Sequence, residues 1–383
     1  MKIKKIETFL IKPRWLLLRI ETDEGIVGWG EPVVEGRAET TSTCVHELEP
    51  YLLGKDPRYI EDIWQSIYRG GFYRGGPVLT SALSGIDQAL WDIKGKALSL
   101  PIHELMGGKV RDKMEVYSWI DSNTPAEAAE SAQDKLEHGF HHVKMFGTNG
   151  IGWINDRKEI DLLLEKVQAI RDKVGNKLGI AIDFHGRAHK ATAKTLLKEL
   201  EPFQILFVEE PVLIENEEAF LELHNCSSIP LATGERSFTR WGFKQMLTKG
   251  CVDIIQPDLS HAGGISEVKK IATMAEAFDV ALAPHCPLGP IAFAACLQVD
   301  FTSINACLQE QSLGMAYNNG FEMGRYVTDP QVFQYNNDGF ISLLTKPGLG
   351  IEVNEKEIRL MAKEGHHWKN PLFRLSDGSV TEW

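Results

Sequence analysis

The sequence predicts an α/β protein, a modified (β/α)8 barrel of the TIM type that follows a smaller α+β domain. From Met114 onward, short apolar runs typical of buried strands alternate with amphipathic helical patterns, which indicates a parallel sheet. There are eight such runs, the number that closes a barrel. Polar residues end six of them at intervals of 23 to 27 residues, the length of one strand–helix unit. An open doubly wound sheet is the alternative.

The first 113 residues are assigned to the α+β domain. Residues 2–31 are typical of an antiparallel meander, and helical patterns follow at 36–53, 57–69 and 77–98. The stretch YRGGFYRGGP lies between the last two and lacks the G-K-[ST] ending of a phosphate-binding loop. We expect either a mobile loop that closes over a ligand or a tight connection between helices.

Residues 114–340 are assigned to the barrel, and residues 341–383 to a C-terminal segment that returns to the first domain. The predicted barrel strands are MEVYSWI, HVKMF, LGIAIDF, ILFVEEP, PLATGE, VDIIQPD, DVALAPH and INACLQE. In a barrel of this kind, residues at the carboxyl ends of the strands converge on one mouth, where such enzymes keep their chemistry.

Composition excludes several classes of partner. The chain has 41 Lys and Arg against 53 Asp and Glu, a net charge of −12, which argues against nucleic acid and anionic membranes. The six cysteines form no C-x-x-C pair and indicate reduced thiols. The first 25 residues contain no long apolar run, so we expect no signal peptide, no membrane span and a cytoplasmic location.

Acidic side chains end three successive predicted strands, at Asp183, Glu209 and Glu235. Three converging carboxylates repel one another, and a divalent cation removes that cost. Oxygen ligands of this kind select a hard ion such as Mg²⁺. The alternative is that each acid caps the helix after its own strand. Glu210 is adjacent to Glu209 and faces the other way, and the pattern alone does not say which of the two points inward.

The other strand ends predict acid–base chemistry. Asp258 and His285 end neighbouring strands, and an aspartate bonded to one ring nitrogen makes the other nitrogen a better base. His185 shares a strand face with Asp183 and comes from the opposite side of the mouth. Glu310, which ends the eighth run, is a candidate hydrogen-bonding partner of the ligand, with an ordinary polar residue as the alternative.

Several segments of the chain resemble the enolase superfamily, in its mandelate racemase-like branch. They include GIDQALWDIKGK, DFHGR, LFVEEPVL, QPDLSHAGGI and APHCPLGP. The resemblance implies one Mg²⁺ per subunit, held by Asp183, Glu235 and Glu209 rather than Glu210. It further implies that His285, made more basic by Asp258, takes the C2 proton. His185 would protonate the departing 3-hydroxyl, and Glu310 would steady the enediolate.

The implied activity is that of an acid-sugar dehydratase acting on D-galactonate, in a homo-oligomer whose partner is the small-molecule acid sugar. One departure is Lys144-Met145-Phe146, where many relatives carry K-x-K with a catalytic second lysine. Phe146 cannot carry a proton, which argues against a racemase that uses a Lys/His pair. Lys144, Phe146 and Tyr73 are candidate substrate contacts, although an ion pair is the alternative for Lys144.

Three other functions remain open at this point. The first is dehydration of another aldonate or aldarate, and the second is a racemase or epimerase of the same superfamily. The third, from a different class, is a non-catalytic barrel that binds a metal or a partner protein, because one fold hosts many functions.

Overall fold

The computed structural model describes residues 1–383 except 121, 149–150, 155–156, 313–314, 316–317, 319–320 and 336. Within that part of the chain, no helix combines the length and the apolar character needed to cross a membrane.

The chain begins with a three-stranded antiparallel sheet in the order β1–β2–β3, as the meander pattern predicts. Its strands are β1 (Ile3–Ile11), β2 (Trp15–Thr22) and β3 (Val27–Gly30). Helix α4 (Pro77–Leu98) packs directly on β3. A Cβ atom at Gly30 would lie 1.9 Å from the carbonyl oxygen of Gly85, so only glycine permits this approach.

Four other helices complete this part of the chain: α1 (Ala38–Glu47), α2 (Glu49–Leu52), α3 (Ile60–Gly70) and α5 (Ile102–Leu105). The pattern predicted one helix over 36–53, but the structure divides it into α1 and α2. Pro50 explains the break, because proline lacks the N–H that would continue the hydrogen-bond ladder of α1.

The second sheet contains seven strands in the order β11–β10–β9–β8–β7–β6–β5, and the described pairings within it are parallel. The strands are β5 (Ser118–Trp119), β6 (His142–Phe146), β7 (Gly179–Asp183), β8 (Phe207–Glu209), β9 (Leu231–Thr233), β10 (Ile254–Ile255) and β11 (Ala281–Leu282). The helices between and after them are α6 (Pro125–Glu137), α7 (Arg157–Val174), α8 (Lys190–Leu200), α9 (Glu217–His224), α10 (Thr239–Lys249), α11 (Gly264–Glu276) and α12 (Pro290–Asp300). This alternation confirms the predicted α/β barrel class.

The last predicted barrel strand, residues 304–310, closes the barrel without forming a regular strand. Ala306 forms a parallel bridge with Leu282 on one edge, and Gln309 forms another with Val116 on the opposite edge. The first predicted strand also departs from the pattern. It is divided into β4 (Lys113–Glu115) and β5, because β4 pairs antiparallel with β12 (Phe340–Ser342).

Inside the barrel, a layer of side chains lies below the polar strand ends. It consists of Tyr117, Ala181, Phe207, Ala232, Ala283 and Leu308. Ala181 and Phe207 lie two residues before Asp183 and Glu209, so the alternation of a strand directs the two acids to the same inner face. Ala232 lies three residues before Glu235, and Gly234 between them has φ of +144°, a backbone conformation that interrupts the alternation.

Residues after the barrel return to the first sheet. Helix α13 (Glu355–Glu364) packs on β1, where Arg359 Nη2 lies 3.0 Å from Glu7 Oε2. Gly348 accepts a hydrogen bond from Ile102 N and donates one to Leu100 O, both at 3.0 Å.

Asp92, on α4, joins three separate parts of the chain. Its Oδ2 accepts hydrogen bonds from Trp29 N at 3.0 Å and Lys96 Nζ at 2.6 Å, and its Oδ1 accepts one from Leu349 N at 3.0 Å. We predict that Asp92→Ala lowers the free energy of unfolding by about 2–4 kcal/mol, because it leaves two buried amides without an acceptor, while the partly exposed Lys96 keeps its hydrogen bond to Val27 O. Urea denaturation measures the loss.

The matched control is Asp112→Ala, since Asp112 forms an ion pair with Lys109 and its side chain is 83% exposed. Surface pairs contribute little to stability, so this variant should unfold close to the wild-type midpoint. Equal midpoints for the two variants would contradict the role assigned to Asp92.

Candidate active site

The structure brings together the polar residues predicted at the strand ends. Asp183 and Glu209 are paired neighbours at the ends of β7 and β8. Glu235, Asp258, His285 and Glu310 follow β9, β10, β11 and the closing segment. A cavity of about 300 Å³ opens here, and Glu235, His185 and His285 line it. Its other walls come from the first domain and from the C-terminal segment.

Lys144 is fully buried beneath this cavity and does not line it. Its Nζ lies 2.9 Å from Glu209 Oε2, 2.8 Å from Glu310 Oε1 and 3.7 Å from Asp183 Oδ2. Burial lowers the pKa of Lys144, but the carboxylates outweigh it and hold the pKa well above the ordinary value. Lys144 is therefore the cation of a buried ion-pair cluster, and the structure does not place it as a substrate contact.

Glu209 and Glu210, which the sequence pattern could not separate, point in opposite directions. Glu209 is fully buried and accepts hydrogen bonds from Lys144 and from Gln256 Nε2, the latter at 2.7 Å. Glu210 has φ of +41° and accepts two hydrogen bonds from the Arg236 guanidinium. Glu209 is thus the inward-facing acid of the two.

Each predicted metal ligand has one buried carboxylate oxygen that accepts no hydrogen bond among the described residues. These oxygens are Asp183 Oδ2, Glu209 Oε1 and Glu235 Oε2. Histidine nitrogens approach two of them, since His185 Nε2 lies 3.0 Å from Asp183 Oδ2 and His285 Nε2 lies 3.4 Å from Glu235 Oε2. Unsatisfied buried oxygens are costly, and a hard cation is the partner that such oxygens suit.

The tightest potential ligand set differs from the predicted one. Among the described residues, ligand atoms of Asp183, His185 and Glu235 all lie within 4.8 Å of one another. Glu209 is outside this set; Lys144 and Gln256 hold its Oε2, and its Oε1 accepts no hydrogen bond among the described residues. The donor chemistry fits a divalent cation, and the ligand assignment of Asp183, Glu209 and Glu235 stays a prediction.

Burial and repulsion between carboxylates make Glu209 and Glu235 difficult to ionise without a cation. Burial raises the pKa of Glu209 to about 8, and Asp183 adds to this effect. Burial raises the pKa of Glu235 well above its ordinary value, and Glu210 adds to it. Burial acts in the same direction on Asp183, but His185 and Lys144 outweigh it and lower the pKa of that acid. A divalent cation would stabilise all three carboxylates.

His285 and Asp258 form the predicted pair. Asp258 Oδ2 lies 2.7 Å from His285 Nδ1, and Asp258 Oδ1 accepts a hydrogen bond from Ser260 N at 2.6 Å. The second ring nitrogen, Nε2, is directed towards Glu235. Burial lowers the pKa of His285, but Glu235, Glu310 and Asp258 outweigh it and raise the pKa well above its ordinary value. Nε2 is therefore the nitrogen available to a ligand in the cavity.

His185 contacts Asp183, but not because the two residues share one face of a strand. Strand β7 ends at Asp183, and His185 has φ of +49°, outside the strand region. Its backbone N–H donates to Asp183 Oδ1 at 2.8 Å. The imidazole lies between the rings of Phe146 and Trp383, with centroid distances of 5.2 and 5.4 Å.

Glu310 lies in the strand-end cluster, with its Oε2 4.0 Å from His285 Nε2, and its predicted role stays a prediction. Both of its carboxylate oxygens are engaged, Oε1 by Trp119 Nε1 at 2.7 Å and by Lys144, and Oε2 by Cys286 N at 2.9 Å. Tyr73 is 87% exposed and lies beside a separate cleft against α1 and α3. Phe72 is exposed as well, and the structure does not bring Tyr73 to the cavity.

Comparison with known proteins identifies the family. Residues 7–107 match the N-terminal domain of mandelate racemase and muconate lactonizing enzymes, and residues 127–357 match the enolase C-terminal domain-like family. The chain belongs to the mandelate racemase-like branch of the enolase superfamily. It is 52% identical over 383 residues to a D-galactonate dehydratase from Verminephrobacter eiseniae, and the similarity covers 100% of both chains.

Solved structures of this superfamily share the whole fold. An enolase from Agrobacterium radiobacter, described as a candidate galactarate dehydratase and solved with sodium and L-malate, is 30% identical with a TM-score of 0.91 and full coverage of both chains. A superfamily member from Salmonella Typhimurium is 30% identical with a TM-score of 0.84, covering 94% of this chain and 97% of its own.

Sequence patterns missed part of this enolase-superfamily site. Arg14, Glu35, His261 and Trp383 line the cavity, but none ends a barrel strand. His261 lies within the QPDLSHAGGI segment that supported the resemblance, so that segment could have indicated it. The other three come from loops of the first domain and from the C-terminal segment, and no periodicity predicts which loop residue meets the barrel.

We predict that Glu209→Gln weakens Mg²⁺ binding and that Glu210→Gln, its neighbour and matched control, does not. The loss for Glu209→Gln should exceed the roughly 10–100-fold that removing a supporting residue costs. Isothermal titration calorimetry measures both dissociation constants. If Glu209→Gln binds Mg²⁺ as wild type does, the ligand set is that of Asp183, His185 and Glu235 instead.

Proposed function

We propose that the chain is a Mg²⁺-dependent acid-sugar dehydratase that converts D-galactonate to 2-dehydro-3-deoxy-D-galactonate and water. The observation that carries the proposal is the pair of histidines, His185 and His285, on the wall of one cavity beside buried carboxylates. Such a pair suits dehydration of a sugar acid, because a proton leaves C2 to a base and the hydroxyl leaves C3 with a proton from an acid. The full-length similarity to a D-galactonate dehydratase supports the same substrate.

In this proposal His285 is the general base. Asp258 holds Nδ1, so Nε2 takes the proton from C2 as the C2–H bond breaks. When bound by Asp183, Glu209 and Glu235, Mg²⁺ would attract the substrate carboxylate and stabilise the negative charge that develops on it. Below the cavity, the ion pair between Lys144 and Glu310 adds a positive charge beside the carboxylates of the proposed metal ligands.

His185 is the general acid. Its Nδ1 has no hydrogen-bond partner among the described residues, while its backbone N–H and its Nε2 engage Asp183. An imidazolium at this position gives its proton to the 3-hydroxyl as the C3–O bond breaks, and the resulting enol becomes the 2-keto acid. The rings of Phe146 and Trp383 limit the water that can compete for this proton.

Phe146 argues against the racemase alternative. Its ring lines the cavity next to His185 and occupies the place where a Lys/His racemase would require a second base. The proposal also retains one Mg²⁺ per subunit, a homo-oligomer and a cytoplasmic location, each of which remains a prediction.

The test of the proposal is a screen of aldonic and aldaric acids with Mg²⁺, in which the 2-keto acid product is measured. We expect D-galactonate to give the highest kcat/KM, and we expect EDTA to abolish turnover because the carboxylate cluster then lacks its cation. If no acid of the panel is dehydrated, the proposed class of enzyme is rejected. If another aldonate is preferred, the proposed substrate is wrong, but the proposed class of enzyme stands.

Two histidine variants separate the two halves of the reaction. His285→Asn should lower both deuterium wash-in at C2 and water loss by about 10²–10⁴-fold, because the base is removed. His185→Asn, the matched control, should retain wash-in at C2 while water loss falls by a similar factor. NMR in D₂O follows both signals, and Mg²⁺ titration checks that the cation still binds. Normal turnover by either variant removes that histidine from its role.

A further inference from the structure

The wall of the cavity that comes from the first domain contains an ion pair. Arg14 Nη2 lies 3.6 Å from Glu35 Oε1, and the two side chains are 4% and 19% exposed. His261 joins this pair to the catalytic residues, since its Nε2 lies 3.7 Å from Glu35 Oε2 and 3.7 Å from Asp258 Oδ2. Substrate atoms beyond the reacting carbons would meet this wall.

The arginines on the cavity wall are already paired with carboxylates. Among the described lining residues the arginines are Arg14, which faces Glu35, and Arg236, whose guanidinium donates two hydrogen bonds to Glu210. A second carboxylate on a ligand would therefore meet the negative charge of Glu35 and find Arg14 already engaged. Bringing it there would cost desolvation without a new ion pair.

A neutral chain of hydroxyl groups meets no such cost. The Glu35 carboxylate accepts hydrogen bonds from hydroxyl donors, and the imidazole of His261 and the amide of Asn370 lie on the same cavity surface. A site with these groups rejects a charged analogue more strongly than it rejects a changed hydroxyl, because unpaired charge is the larger penalty.

We propose that Glu35, by neutralising Arg14, makes this site selective for sugar acids with one carboxylate over those with a carboxylate at both ends. This inference rests on the proposed dehydratase function and deepens it by assigning the substrate class to a residue. The distinction between the two kinds of acid is relevant within the family, since one similar structure is described as a candidate galactarate dehydratase and contains a dicarboxylate.

The experiment compares kcat/KM for D-galactonate and galactarate in wild type and in Glu35→Gln. The variant removes the carboxylate that Glu35 places against Arg14, so the ratio of the two values should shift towards galactarate by roughly tenfold or more, as expected for a new charged hydrogen bond. Glu39→Gln is the matched control, because Glu39 is 67% exposed, pairs with His367 and does not line the cavity. It should leave the ratio unchanged.

A binding measurement keeps the inference testable if Glu35→Gln fails to fold. Adipate and hexanoate have six carbons each and differ in the second carboxylate, so each is tested as an inhibitor of wild type with Mg²⁺ in excess. Hexanoate should inhibit at least as well as adipate.

Any of three results overturns the assignment of Glu35. They are stronger inhibition by adipate, faster turnover of galactarate than of D-galactonate by wild type, and an unchanged ratio in folded Glu35→Gln. These results leave the dehydratase proposal standing. Absence of dehydration with every acid defeats the dehydratase proposal itself, and the two failures are therefore distinguishable.

Discussion

The site depends on one electrostatic constraint: the carboxylates of Asp183, Glu209 and Glu310 are buried around Lys144 at one end of the barrel. Lys144 contacts Glu209 and Glu310 directly and lies 3.7 Å from Asp183, but Glu235 is outside its reach. Burial penalises every charge in this cluster. The register of β6 beside β7 places Lys144 in this position, and a neutral residue there would leave Glu209 and Glu310 with uncharged hydrogen-bond donors but without the lysine's positive charge. The cluster therefore favours a bound cation on purely physical grounds.

The first domain takes part in this arrangement because it holds the loops that follow the catalytic strands. Glu31, after β3, accepts hydrogen bonds from Gly289 N at 2.7 Å and Ala292 N at 3.0 Å, at the beginning of α12. Gln88 on α4 accepts one from Glu31 N and donates one to Leu259 O, next to Asp258. The loops after β10 and β11, which carry Asp258 and His285, are thus fixed from the first domain. Removing that domain would leave these backbone groups without partners.

Much of the fold and the identity of the polar strand-end residues could be predicted from the sequence, because both follow from local periodicity. Strand alternation accounts for the direction of Asp183 and Glu209 once the structure shows which core residues, two positions earlier, face inward. It was insufficient for Glu235 and His185, where positive φ angles at Gly234 and at His185 itself redirect the chain. Irregular backbone of this kind depends on tertiary contacts. The sequence spacing still identified these residues, because it requires only that a polar residue lies near the end of a strand and does not require a particular side-chain direction.

Other features could not be predicted because they depend on contacts between distant segments. Closure of the barrel by residues 304–310 uses isolated bridges to two different neighbours, and a single sequence shows no difference between these bridges and a full strand. The choice between Glu209 and Glu210 depends on Lys144 and Arg236, which lie far away in the sequence. Arg14 and Glu35 meet the barrel only after the two domains pack together.

The charge balance of the site also limits what it can bind. The carboxylates of Asp183, Glu209, Glu235, Asp258 and Glu310 surround the cavity or lie beneath it, and the chain as a whole has a net charge of −12. Lys144 pairs with only part of this charge, so in the proposed function the substrate carboxylate depends on a direct contact with Mg²⁺. A second carboxylate would need another cation at the far wall, where the Arg14 guanidinium already faces Glu35. In the proposed function, the site thus binds one anionic group at the metal and, for the same electrostatic reason, excludes a second one.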